Sequence, residues 1–477
     1  MNRETGKTAL FVGVAGALAL LAAVTQTRPR AAELFSDQGQ TFHPDFTEPL
    51  KATAIEAIEP DEGAGGYHLF KVQVVDGKWS IPSHHNYPAD GKDRLSKTAS
   101  ALIGLKKDRV QSDNSKDHEA LGVVDPLDQA SGKGRGKRVR LYDAAGSILA
   151  DVIFGKEAGE GRRYVRLADQ KRTYAVKTDL DLSTKFEDWV ETDLLQITQD
   201  SVRKVVIDKY SFDETQKTIK DRSTHFVARD DGGADWKVGE IKEGEEVNTE
   251  TVSTLLNTLD DLKLVGVRPK PRVVAQAKDL NELGKLTRQE LLTLAHDLFQ
   301  RGFFIMQDKD RYLVVSNEGE VQAACNDGVV YTLRFGEVLV GSGEEISAGK
   351  DEEKKDPKKE EKKGSTENRY LFVSTGFDES LLGAPPAEPK PLVADPARKP
   401  EEQKADEEKA KQAKEEYEKK KKDFDQKKED GRKRADKLTA RFSQWYYVIP
   451  ADAFKKLRVD RAQLVKPKEP PKDEKKK

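Results

Sequence analysis

A chain of 477 residues can hold two or three domains, but hydrophobic residues are only 36% of it and charged residues 35%, so a sizeable part must lie outside any core. The 83 lysines and arginines against 85 acidic residues leave a net charge of -2, which gives no global attraction to nucleic acid or to an anionic membrane face; no nucleic-acid partner is expected. The single cysteine, Cys325, excludes a disulfide framework and a zinc ribbon, and its place between apparent strands suits a small core residue.

The first element is an uncharged run, "TALFVGVAGALALLAAVTQT", from Thr8 to Thr27, flanked by Arg3 and Lys7 on one side and Arg28 and Arg30 on the other. About 20 apolar residues suffice to cross a bilayer. A small-x-small cleavage site is lacking and arginines follow at once, which favours an uncleaved anchor over a cleaved signal peptide. Positive residues flank both ends, so the short N-terminus is what places the bulk outside the cytoplasm. Residues 31–66 are polar and read as a tether.

From residue 67 one pattern occurs twice. "YHLFKVQVVDGKWSI" is a hairpin with Asp76-Gly77 at its turn; "VRKVVIDKYS" and "THFVARDDGGADWKV" echo it, which makes Trp79 and Trp236 equivalent anchors. Each is followed by a polar loop and an amphipathic helix, one carrying Leu95, Ala99, Leu102 and Leu105, the other Val252, Leu255, Leu256, Leu259 and Leu262. Asp90 and Asn248 are the expected N-caps. Next come "RVRLYDAAGSILADVIFGKE" (138–157) and "EVQAACNDGVVYTLRFGEVL" (320–339), each strand, turn, strand, then Phe154-Gly155 or Phe335-Gly336. A second hairpin, "RRYVRLADQKRTYAVKT" with Tyr164, is matched by "NRYLFVST" with Tyr370, whose partner strand is delayed until "SQWYYVIPADAFKKLRV". The charged stretch between them therefore reads as an insertion into a hairpin loop, where extra length costs little closure entropy. Its first part is proline-rich. Its second carries Ala410, Ala413, Tyr417 and Phe424 on a Glu/Lys-rich background, the pattern of a solvent-exposed helix or a thin coiled coil. "LTRQELLTLAHDLFQRGFFIM" (286–306) has no counterpart of equal length in the first copy and reads as an added helix and strand.

Three stretches invite a chemical reading. His84 and His85 lie in "WSIPSHHNYPAD", but adjacent residues point apart in an extended chain and a zinc site needs three or four ligands. The second copy has no histidine there, so they are weak metal candidates in a polar loop. "SGKGRGKRVR" (131–140) lacks the Lys-Ser/Thr pair and the following helix of a phosphate loop and reads as a mobile basic loop. Glu187, Asp188, Glu191 and Asp193 around Trp189 and Val190 could pass for an acid–base pair, or form the wet side of a short helix. No nucleophile or metallopeptidase motif occurs, and no cofactor or catalytic residue is expected.

The stretches "GKWSI…NYPAD" (77–90), "LGVVDP" (121–126), "VIFGKE" (152–157), "RRYVRLADQKRTYAV" (162–176) and "LSTKFEDWVETDLLQI" (182–197) resemble a bacterial membrane-anchored domain-of-unknown-function family with repeated β-rich modules. The resemblance implies an auxiliary role beside ABC-type transport systems of the gliding-motility kind.

The expected architecture is α+β: two copies of a β-hairpin, helix and antiparallel-sheet module after an N-terminal transmembrane helix. Its divisions are an anchor (1–30), a tether (31–66), copy one (67–197) and copy two in three pieces (198–348, 366–377 and 441–465). A disordered charged loop (349–365), a Pro-rich and charged helical insertion (378–440) and a disordered tail (466–477) complete it. The expected function is a non-catalytic, extracytoplasmic binding or scaffolding protein of the inner membrane with envelope protein partners. A cell-envelope hydrolase using an acidic pair and a structural spacer are the alternatives.

Overall fold

A computed structural model describes residues 3–25, 37–61, 66–276 without 129, 131, 181, 231, 232 and 234, 286–341 without 309 and 310, 343–349, 366–389 and 400–468. The chain is a mixed α/β protein with antiparallel sheets, divided into two compact units. Unit one is Met1–Phe70 with Lys92–Thr184, and unit two is Lys71–Gly91 with Lys185–Lys477.

In chain order the elements begin with α1 (Arg3–Thr25), β1 (Ala54–Pro60), β2 (Tyr67–Val75), β3 (Lys78–Ile81), β4 (Tyr87–Pro88) and α2 (Lys92–Ile103). They continue with β5 (Arg109–Ser112), α3 (His118–Leu121), β6 (Lys137–Tyr142), β7 (Ile148–Gly159), β8 (Arg162–Leu167) and β9 (Thr173–Lys177). Next are β10 (Val202–Asp213), β11 (Thr218–Ala228), β12 (Lys237–Val238), β13 (Glu245–Val247), α4 (Thr249–Asp260), β14 (Gly266–Pro269), α5 (Arg272–Gln276) and α6 (Arg288–Phe299). The last are β15 (Phe303–Asp308), β16 (Arg311–Ser316), β17 (Glu320–Cys325), β18 (Val329–Gly341), α7 (Glu344–Ala348), β19 (Thr366–Phe377), α8 (Pro400–Ser443), β20 (Trp445–Pro450), α9 (Ala451–Leu457), α10 (Arg461–Leu464) and β21 (Val465–Pro467).

In unit one the strands run β1-β6-β7-β8-β9-β5, and in unit two β10-β17-β18-β19-β20-β14. The registers agree as well as the order. Ala57 pairs with Val139 as Ile207 pairs with Val321. Phe154 faces Val165 as Phe335 faces Leu371, and each phenylalanine sits at a register shift. Tyr174 is opposite Val165 and Val110 as Tyr447 is opposite Leu371 and Val267. The hairpin β2–β3 turns at Asp76 and Gly77 with both φ positive, the two-residue turn whose twist suits paired strands.

Local chemistry accounts for the helices. Asn248 caps α4 by accepting from the Thr251 N–H, and Thr287 and Glu290 form a reciprocal capping box on α6. The expected cap of α2 is corrected: that helix starts at Lys92, and Asp90 instead donates its N–H to the Trp189 carbonyl at 2.8 Å.

The extra elements of unit two have a packing cause. On β19 and β20 the side chains of Tyr370, Phe372, Tyr446 and Val448 are buried in one cluster with Leu294 and Leu298 of α6 and Phe303 of β15. The positions matching Phe372 and Tyr446 in unit one are Arg166 and Thr173. Arg166 satisfies itself on the carbonyls of Val123, Leu167, Ala168 and Gln170. An apolar face needs a helix over it; a self-satisfied guanidinium does not.

Several expected boundaries move. The tether assigned to 31–66 is folded over its described residues 37–61: β1 lies in the sheet, and Phe42, Phe46, Ile55 and Ile58 are buried. The tail assigned to 466–477 begins inside β21, which pairs with β13, and Lys468 donates to the Gly244 carbonyl. Residues 350–365 and 469–477 lie outside the described residues. The insertion assigned to 378–440 follows β19, and its last turns are core, with Ala435 and Leu438 buried, as is Phe442 just beyond it. Among the described residues no helix is long and apolar enough to cross a membrane. The side chains described on α1 are all exposed, Phe11 at 72% among them.

Candidate functional site

The two histidines do structural work in unit two. His84 ends a short 3-10 turn and is 1% exposed, so the expected solvated loop is corrected. Its ring stacks on Phe186 (4.4 Å, 6° between planes). Its Nδ1 lies 2.8 Å from Ser83 Oγ and its Nε2 2.9 Å from Ser347 Oγ on α7. His85 is left-handed (φ 58), which swings its ring to the same side, and its Nε2 reaches the Ala348 carbonyl at 2.9 Å. The pair staples this turn to α7. Among the described residues no group of three or more His, Cys, Asp or Glu is placed to hold a metal ion.

Trp79 and Trp236, expected as core anchors, are only half-buried; Trp236 lies under the Arg229 guanidinium, 5.0 Å from the ring centre. The tryptophan buried beside this turn is Trp189, against which a Cβ on Gly91 would pack. Tyr370 is buried and Tyr164 half-buried.

The Phe-Gly pairs lie at matching register shifts of β7 and β18. Phe154 and Phe335 are buried. A Cβ at Gly155 would meet the Leu121 carbonyl oxygen at 2.5 Å, and one at Gly336 the Arg301 carbonyl oxygen at 2.1 Å. One residue type recurs beside them that sequence reasoning missed: Arg163 donates to the Gly155 carbonyl (3.3 Å) and Arg369 to the Gly336 carbonyl (2.6 Å). The repeated "RY" before each apolar strand was the available signal.

The basic loop at 131–140 is not free. Val124 donates to the Gly134 carbonyl, Gly136 donates to the Val124 carbonyl, and Arg135 donates to the Gly66 carbonyl at 2.9 Å. The acidic group is split: Glu187 and Asp188 are exposed on a 3-10 turn whose Trp189 is buried. Burial pushes the Asp193 carboxyl above its ordinary value, with the nearby Glu191 charge adding to the effect. Asp193 accepts from the Gln196 N–H, and the Glu191 carboxylate accepts from the Asp193 N–H.

An open cleft of about 440 Å³ lies in unit one at the end of the β6–β7 hairpin. Its floor and walls are Phe42, Leu149, Ala150 and Leu167, and its polar rim is His43, Arg138, Asp151 and Asp169. Arg138 is already committed, holding Asp151 through two bonds (2.7 and 2.6 Å) and Asp125 through a third (2.6 Å). Burial lowers the His43 pKa against the opposing pull of Asp151 and Asp169. Its Nε2 is buried with no hydrogen-bond partner among the described residues. Asp169 is exposed and makes no hydrogen bond or ion pair among them. Such a cleft can seat an apolar group and a cation. Phe42 and His43 fell within the expected tether, so composition hid this site.

Among the cations buried in unit two, Lys270 lies beside the aromatic cluster. Lys270 donates to the Phe442 carbonyl (2.9 Å) and sits 3.7 Å from the Phe372 ring centre; burial lowers its pKa to about 7.

No curated protein and no solved structure matches the chain significantly. Residues 79–284, less than half of the chain, match the family described as "Domain of unknown function (DUF4340)".

Proposed function

We propose that this chain is a non-catalytic binding or scaffolding protein, built from two copies of one module and held at the cytoplasmic membrane by the uncharged run Thr8–Thr27 with its bulk outside the cytoplasm. One observation carries this reading: two sheets agree strand for strand and register for register. The residues that recur between them, Phe154-Gly155 with Arg163 and Phe335-Gly336 with Arg369, close backbone against backbone. They build a rigid frame, and a frame serves by what it presents on its surface.

The anchor is supported by the uncharged run Thr8–Thr27 and by the exposure of Phe11, Val12, Leu18, Leu20 and Leu21, apolar surface that lipid would accept and water would not. The place beside an ABC-type export or envelope complex rests on the family resemblance. Mild crosslinking of the anchored protein in cells, followed by its purification, should recover transporter or envelope subunits. Repeated recovery of the protein alone would contradict the reading.

A spacer role is favoured by α8. Its 44 residues span about 66 Å at 1.5 Å per residue, and between 407 and 423 only Ala410 and Tyr417 are even half-buried.

A further inference from the structure

The registers that align the two sheets also align their surfaces. Ala150 and Leu167 of unit one stand where Tyr331 and Val373 stand in unit two. Asp169 lies in the turn that follows Leu167, which Gln170 closes by donating its N–H to the Leu167 carbonyl. In unit two this strip lies beneath the last turns of α8. Thr375 Oγ1 is 2.8 Å from Thr439 Oγ1, and the rings of Tyr331 and Phe442 are 6.4 Å apart. Arg434 of the same helix donates to the Tyr331 hydroxyl at 3.3 Å and pairs with Asp327.

In unit one, Phe42 supplies one end of this cover. It meets Tyr174 edge-on at 5.2 Å, as Phe442 meets Tyr447 edge-on at 6.0 Å. α8 runs on from Phe442 across Leu438 and Ala435. Among the described residues of unit one, no helix follows that track from Phe42. The uncovered part of the strip is the cleft, with Ile148 56% exposed at its rim.

We propose that the cleft of unit one is the docking site for an amphipathic helical segment of a partner protein. The segment sets an aliphatic side chain on Leu149, Ala150 and Leu167 and a lysine or arginine beside Asp169. The charge at the rim selects for a base: the Arg138 guanidinium is neutralised by Asp125 and Asp151, whereas Asp169 is exposed and makes no ion pair among the described residues, the nearby Arg166 being committed to backbone carbonyls. An apolar floor with one charge at its edge is how helix-in-groove recognition fixes both register and partner. The inference rests on the binding reading above and deepens it.

The probe is a fluorescent peptide copying residues 426–443, the segment that covers the matching strip in unit two, added to the full chain. It should bind saturably. Leu149→Trp, which fills the floor, and Asp169→Lys should each weaken binding about tenfold or more, with unfolding midpoints showing that both variants stay folded. Asp327→Ala should leave binding unchanged. If Asp327→Ala removes binding while the cleft variants do not, the peptide has displaced α8 and the inference falls. Absence of saturable binding also overturns it. Should envelope partners still be recovered by crosslinking, that failure belongs to this inference alone and leaves the binding reading standing.

Discussion

Gly155 and Gly336 sit where a methyl group would collide with a carbonyl oxygen, at 2.5 and 2.1 Å. Alanine at Gly155 must push β7 off the end of α3, and at Gly336 push β18 off the turn after α6, at a cost of about 1–3 kcal/mol for an overpacked site. Gly376 lies on β19 with nothing within 4 Å of its notional Cβ, so Gly376→Ala should be neutral or slightly stabilising. Urea midpoints for the three variants check this; equal effects would mean that the close approach does not matter. Lys270 gives a second prediction. Its pKa in the folded chain is about 7 against an ordinary value of 10.5, so between those values the unfolded chain binds a proton that the folded one lacks. Stability must therefore rise with pH across that window, by up to ~1.4 kcal/mol per pH unit from this group. Lys270→Met should remove that rise. An unchanged slope would mean that the buried amine stays protonated. The Phe-Gly pairs were legible because the sequence prints them twice. The work of His84 was not, because burial depended on α7, more than 250 residues away.

At the scale of elements, hairpins and amphipathic helices followed their two periods, and the late strand β20 closes on β19 across the insertion as its pattern implied. Two misreadings have one cause, composition taken for structure. Residues 37–61 are polar on average, yet Phe42, Phe46, Ile55 and Ile58 fall at core positions. The unbroken runs "YLFV" and "WYYVI" signalled strands buried on both faces, and that second face is what α6 and β15 cover. For α8 the structure divides what the sequence joined. Removing residues 384–423 should leave the unfolding midpoint nearly unchanged, because Glu379 is already paired with Lys428 and the gap can close there. Leu438→Ala, by contrast, should cost about 2–5 kcal/mol. A deletion that unfolds unit two would show that the exposed turns are part of its core after all.

For the whole molecule, the proposed pair of modules differs in what covers the matching strip: α8 in unit two and, in unit one, the segment through Phe42. On the proposed reading, that difference in cover is where binding resides. In-cell photocrosslinking from Ile148, at the rim of the uncovered cleft, tests this most directly. A photoreactive residue there should give one discrete heavier product containing an envelope protein, and Asp169→Lys should abolish it while the membrane-associated amount of the chain stays constant. No product from Ile148, or a product untouched by Asp169→Lys, would contradict the account.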